Sequence, residues 1–321
     1  SQERMAVVVA KEDVESFIAL AAEENLAATP VAVVTSDRRM KMYHRGRAIV
    51  DISRDFLDTN GVKQQTDAEI NENVTPFFAD SDEKCGFKAQ LEKSLSSLNV
   101  CSKKGLAEMF DSTIGAKSVY MPFGGKNQLT PVIAMAAKLI GGETDDCTVS
   151  AYGYSPELSS SSPFTGAIYA IMTSVAKLVA AGADYKDARL TLQEFFMRLR
   201  EDPKRWGVPL AALLGALYAQ LGLGLGAIGG KDSMSGSFED IDVPPTLISF
   251  ALAPSKASKL ITNVITHTGT KLYLLPTKKD ECLIPDFEYL KKLYTSVHKN
   301  IESGNIKFAT VAEKGGVAPA V

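Results

Sequence analysis

Two short segments of this chain carry residue types that suit an anion. One is Pro122-Phe123-Gly124-Gly125-Lys126-Asn127-Gln128, and the other is Gly229-Gly230-Lys231-Asp232-Ser233-Met234-Ser235. Paired glycines leave backbone N–H groups uncovered, and the lysine adds a cation, so each segment can cradle a phosphate-like group. The candidate binding residues are Gly124, Gly125, Lys126 and Gln128 in the first segment. In the second they are Gly230, Lys231, Asp232, Ser233 and Ser235. The same strings also describe tight turns with solvated lysines, and composition does not choose between the two.

Better-known phosphate fingerprints do not fit. Gly224-Leu225-Gly226-Ala227-Ile228-Gly229 spells G-x-G-x-x-G, yet it follows a predicted helix where a dinucleotide fold needs a preceding strand. A Walker A loop fails too, because Leu225 stands where its first glycine belongs and Asp232 follows the lysine in place of Ser or Thr. The three histidines (His44, His267, His298) and four cysteines (Cys85, Cys101, Cys147, Cys282) are scattered, with no C-x-x-C pair. That spacing predicts neither a zinc site nor a nucleophile–base set, so no catalytic residue and no metal ligand is assigned.

The elements that must position these segments are legible as periodicities. Met5–Val9 and Val31–Thr35 are apolar runs expected to be strands, flanking a helix with Val14, Phe17, Ile18 and Ala21 on one face. Residues 40–44 and 48–52 read as a hairpin turning at Arg45-Gly46. Residues 61–97 are polar and read as a linker with one helix. Beyond them a strand over 118–121 and a helix over 129–140 are expected to flank the first Gly-Gly-Lys segment. Ser159–Ser162 reads as a flexible polar loop. It precedes a buried helix bearing Ile168, Ile171, Met172, Val175, Leu178 and Val179 and ended by Gly182. Further helices are expected through Leu192, Phe195, Phe196 and Leu199, from Pro209 through Leu217, and over 287–299, with strands at 246–253 and 271–275. The fold class is therefore α+β, in α/β sandwich layers.

Charge and composition narrow the partners. A net charge of −3 gives no footprint for nucleic acid or an anionic membrane, and no apolar run reaches eighteen residues. Few cysteines and no signal peptide predict a cytoplasmic protein. Both ends look cut, as in an expression fragment.

Several strings together resemble the phosphoribosylformylglycinamidine synthase family. They are Ser1-Gln2-Glu3-Arg4-Met5, Ile49-Val50-Asp51-Ile52-Ser53, Phe110-Asp111-Ser112-Thr113-Ile114-Gly115, Ser162-Pro163-Phe164-Thr165-Gly166-Ala167 and Lys204-Arg205-Trp206-Gly207. The longest and most specific is the run from Ala227-Ile228-Gly229-Gly230-Lys231 through Asp242-Val243-Pro244-Pro245. The resemblance implies tandem A and B domains like those of aminoimidazole ribonucleotide synthetase. It makes residues 1–60 the end of a first B domain, 61–97 a linker, 98–253 a second A domain and 254–321 the start of a truncated second B domain.

The implied reaction joins ammonia from glutamine to formylglycinamide ribonucleotide at the expense of ATP, with magnesium. The remaining domains and a glutaminase domain are the implied partners. The isolated chain is expected to be inactive, and a homodimer through uncovered apolar surface is a further expectation. In that family a magnesium-nucleotide site in the second A domain uses an aspartate after Thr-Ile-Gly and a Glu and an Asn at i, i+4 on the following helix. Here those positions are Ala116, Thr173 and Lys177. Magnesium prefers oxygen donors, so this chain is expected to lack that site, and to serve either as one wall of an active site or as a non-catalytic scaffold with a degenerate nucleotide site.

Overall fold

The computed structural model describes residues 3–59, 65–71, 86–109, 117–140 and 143–321. The chain forms two compact units, Ser1–Gln65 and Thr66–Val321, so residues 254–321 share a unit with 98–253.

The first unit is a helix and a hairpin. α1 (Val14–Glu23) forms where the four-residue apolar spacing predicts it. β1 (Arg39–His44) and β2 (Arg47–Ser53) pair antiparallel, with a register shift at Met42/Tyr43, and the short α2 (Arg54–Leu57) follows under a Ser53 cap. The apolar runs at 5–9 and 31–35 are not strands. A strand needs a neighbour to complete its hydrogen bonds, and neither run has one among the described residues. Their side chains stay largely in solvent, as at Val8 and Val33.

The second unit opens with α3 (Phe87–Ser96), the one helix expected in the polar segment, and α4 (Lys104–Ala107). A two-residue hairpin, β3 (Phe123–Gly124) with β4 (Thr130–Pro131), leads into β5 (Met135–Lys138) and β6 (Asp146–Gly153). The helix expected over 129–140 is therefore replaced by strands, and the strand expected over 118–121 reduces to a bridge from Ser118 to Ala137. Short apolar runs do not distinguish helix from strand by periodicity alone, and pairing with β6 decides this one.

α5 (Pro156–Ser161) occupies most of the serine tract expected to be a loop, and α6 (Pro163–Ala181) follows at once. The Ser162 hydroxyl accepts from the Thr165 N–H at 3.2 Å, Pro163 fills the first turn and Gly182 ends the helix in the left-handed region. β7 (Arg189–Phe195) stands where a helix through Leu192–Leu199 was expected. The tertiary context overrides the helical spacing, because β7 is held between two other strands. α7 (Pro203–Leu223) starts at an Asp202 cap, a turn and a half before Pro209, which it carries inside. β8 (Ala227–Lys231), the hairpin β9 (Ser237–Phe238) and β10 (Ile241–Asp242), and the long β11 (Thr246–Lys256) complete the sheet region. α8 (Phe287–Glu302) is capped by Asp286, and α9 (Val317–Ala320) closes the chain. No strand forms at 271–275.

The central sheet has the order β5-β6-β11-β7-β8, antiparallel except for the β7–β8 pair. α6 lies across β6 and β11, and α7 and α8 pack against it. The core is the seam between them. Ile168, Ile171, Val175 and Leu178 of α6 meet Val149, Leu190, Leu247 and Ala251 of the sheet, all at or below 2% exposure. α6 and α7 are long and apolar enough to cross a membrane by length and composition, but α6 is the buried core helix of this unit.

Candidate functional site

The two Gly-Gly-Lys segments lie toward opposite edges of the sheet. The first is the β3–β4 hairpin, which leads into edge strand β5, and the second lies on the other edge strand, β8.

In the first, Gly125 takes a positive φ of 83° and Gln128 one of 50°, and the Gln128 N–H donates to the Gly125 carbonyl at 3.0 Å. This is a closed turn that presents Lys126 and Gln128 to solvent. Gly124 faces Val264 so closely that a Cβ would lie 2.9 Å from its Cγ2, and Asn263 donates to the Pro131 carbonyl at 2.9 Å. The hairpin is thereby pinned to the segment after β11.

The second segment departs from expectation. Gly230 and Lys231 are strand residues, not a turn, and they sit in register with Leu192 and Gln193 of β7. A Cβ on Gly230 would lie 2.4 Å from the Leu192 carbonyl oxygen, which explains the glycine by close approach of two strands. β8 is exposed along its length and, among the described residues, has a neighbour on one side only, so part of its backbone hydrogen-bonding edge faces away from the sheet. The chain then stays beside β7. The Ser233 N–H donates to the Glu194 carbonyl at 3.1 Å, the Phe196 N–H donates to the Ser233 carbonyl at 2.8 Å, and the Ser233 and Ser235 hydroxyls are 2.8 Å apart.

One neighbour was missed by sequence reasoning. Glu194 of β7 is 7% exposed, and burial, with the charge of Asp232 as a lesser cause, pushes its carboxyl above the usual range. No local motif marks a lone Glu between Leu192 and Phe196. Only strand pairing brings it under the second segment.

Two strings singled out in the sequence prove to be joined. Arg205, at the start of α7, makes a two-pronged pair with Asp242, with both N–O distances 2.8 Å, and also donates to the Arg198 carbonyl. The Asp242 carboxyl is held below its usual range by that hydrogen bond first and by Ser237 second. This cluster anchors the β9–β10 hairpin, and so fixes the exit of the 227–236 segment. Its role is positioning.

The implied magnesium site does not fit. Ala116 lies outside the described residues, as does the Phe110–Gly115 string. Thr173 and Lys177 sit on α6, and Lys177 is 4% exposed. Its ammonium donates to the Tyr152 carbonyl at 3.0 Å, pairs with Glu313 at 2.8 Å and lies 4.5 Å from the centre of the Tyr152 ring. A fixed cation thus fills a place where an ion would need oxygen donors.

No family model matches the chain. Curated relatives do. A phosphoribosylformylglycinamidine synthase subunit PurL from Methanocaldococcus jannaschii is 23% identical over 356 residues, covering 100% of this chain and 45% of the relative. The same subunit from Pyrococcus furiosus is 24% identical and covers 100% and 45%. That from Thermoplasma acidophilum is 24% identical over 249 residues, covering 77% of this chain and 32% of the relative. The chain thus spans less than half the length of these relatives. Among solved structures, T. maritima PurL complexed with ATP superposes with a TM-score of 0.64 at 18% identity, covering 95% of this chain and 45% of that one. PurLQS from Thermotoga maritima gives 0.65, also at 18% identity. The α+β fold and the resemblance read from the sequence are both borne out.

Proposed function

Because the chain is a relative of phosphoribosylformylglycinamidine synthase, we propose that it forms part of an ATP-dependent ligase of purine biosynthesis acting in the cytoplasm. Its domains are those expected from the resemblance: the end of a first B domain in 1–60, a linker in 61–97, a second A domain in 98–253 and the start of a second B domain from 254. The observation that carries this reading is the exposed Gly229-Gly230-Lys231 edge of β8, inside the run of highest resemblance. There an unpaired strand edge and a solvated lysine offer N–H groups and positive charge to a phosphoryl oxygen.

In this reading Lys231, with Gly230, Asp232, Ser233 and Ser235, faces ATP or formylglycinamide ribonucleotide. Gly124, Gly125, Lys126 and Gln128 form a second phosphate-facing turn on the far side of the sheet. The chemistry asked of these residues is binding, orientation and stabilisation of transferred negative charge. Magnesium would enter with ATP elsewhere in the full active site. The partners are the remaining domains and a glutaminase, which supplies ammonia. The exposed valines at 7, 8, 31, 33 and 34 are the surface through which copies of the isolated chain would associate.

A second reading, a scaffold without its own nucleotide site, is favoured on the α6 side by the buried Lys177. The two readings hold for different faces of the same unit. Disrupting the gene should make growth depend on added purine. Normal growth without purine would overturn the assignment.

A further inference from the structure

Lys177 is the one buried cation among the described residues of α6, and its partners come from far along the chain. Glu313 reaches it from segment 311–316. The next residue, Lys314, turns the other way and pairs with Glu157 in the first turn of α5, whose carboxylate also accepts from Asn99 Nδ2 at 2.8 Å. Gly315, with a φ of 87°, then packs so tightly that a Cβ would lie 3.1 Å from Val100 and 3.2 Å from the Ser94 hydroxyl. Two consecutive residues of opposite charge therefore engage two partners of opposite charge on two helices.

We propose that segment 311–316 is a built-in lock, in which the Lys177 ammonium and the Glu313 carboxylate together hold a position that needs neither a divalent ion nor a nucleotide. The comparison with an ion rests on the kinship described above, whereas the lock itself rests on the contacts alone. Their order matters. Lys177 is sealed inside the unit, while the Glu313 side chain is 38% exposed. Removing the carboxylate therefore strands a buried charge, and removing the ammonium leaves a carboxylate that water can reach. At the other pair, the second Glu157 oxygen is buried and has no partner among the described residues, so that end is the weaker of the two.

The test is a double-mutant cycle on the whole chain with Lys177→Met, Glu313→Gln and both together, read by denaturant unfolding. Glu313→Gln should cost more than Lys177→Met. The pair should be coupled by about tenfold in the folding equilibrium constant, within the span of about twofold to a hundredfold found for contacting partners. Amide exchange of residues 311–316 should quicken in Glu313→Gln while α6 stays protected. Exchanging the two charges, Glu313→Lys with Lys314→Glu, keeps the composition but sets like charges against each other, and should free the segment in the same way. If Lys177→Met does not fold, the exchange measurements on Glu313→Gln and on the charge exchange decide alone. Additive single effects, or unchanged exchange at 311–316, would overturn the lock. A saturable rise in melting temperature with magnesium-ADP that persists in Lys231→Ala and is lost in Glu313→Gln would overturn its independence from ion and nucleotide. A purine requirement on gene disruption bears on the kinship and leaves these readouts untouched.

Discussion

Lys177 and Lys231 are the same residue type in one folded unit, and the structure treats them in opposite ways. Lys177 is sealed between α6, β6 and the 311–316 segment, with a carboxylate, a carbonyl and an aromatic ring around its ammonium. Lys231 stands at the end of edge strand β8, in solvent, where its carbonyl accepts from Gln193 Nε2 at 3.2 Å. A buried charge that is fully partnered has little left to offer a ligand. An exposed charge beside an unpaired strand edge has most of its hydrogen-bonding capacity free. In the proposed reading the α6 face is the structural side of this unit, and β8 is the ligand side.

The contrast can be broken most forcefully at Gly153. A Cβ there would lie 2.1 Å from the Ala170 carbonyl oxygen and 2.9 Å from Thr173 Cβ, so β6 touches the backbone of α6, the helix that carries the lysine. Gly153→Ala should force strand and helix apart and destabilise the second unit by about 1–3 kcal/mol, as overpacking does. Denaturant unfolding of the variant measures it, and an unchanged midpoint would mean that the α6 face is not rigid. Alanine in place of Gly226 or Gly229, where a Cβ would meet nothing within 4 Å, should be far milder.

A smaller effect sharpens the other side. The carboxyl of Glu194 is raised by burial, so its ionisation opposes folding. A carboxyl whose folded-state value is raised lends its full stability below its unfolded-state value and loses it as pH rises through the folded one. Glu194→Gln removes that loss. The variant should match the parent in stability under acid conditions and exceed it increasingly toward neutral pH. Melting curves across that range check the sign, and a gap that widens toward acid would show that Glu194 is stabilised as the anion.

Much of this arrangement was legible beforehand. The α6 face, its Gly182 stop and the β1–β2 turn at Arg45-Gly46 follow from spacing and from residues with special backbone freedom. β7 and β5 were not, because Leu190, Leu192 and Phe196, like Ala134 and Ala136, are short apolar runs whose state is set by which strand lies alongside. The apolar runs at 5–9 and 31–35 fail in the converse way, having strand-like composition without a partner strand among the described residues. At the site, the glycines and lysines were visible as motifs. Glu194, the Arg205–Asp242 pair and the Lys177–Glu313 pair were not, since each joins residues that only the fold brings together.

The mildest change for stability is the most informative for chemistry. Lys231 is exposed on an edge strand, so Lys231→Ala should shift folding by no more than about 0.5 kcal/mol, the usual span for surface positions. If its ammonium faces a phosphoryl group, turnover in the complete enzyme should fall well beyond anything that stability explains, because charge stabilisation is felt in the transition state and not in the fold. Lys231→Arg keeps the charge but alters its geometry, and should recover part of the rate. Unchanged kinetics beside an unchanged melting curve would remove Lys231 from the site. The open edge of β8 would then be a surface like any other, and the difference between the two lysines would be one of burial alone.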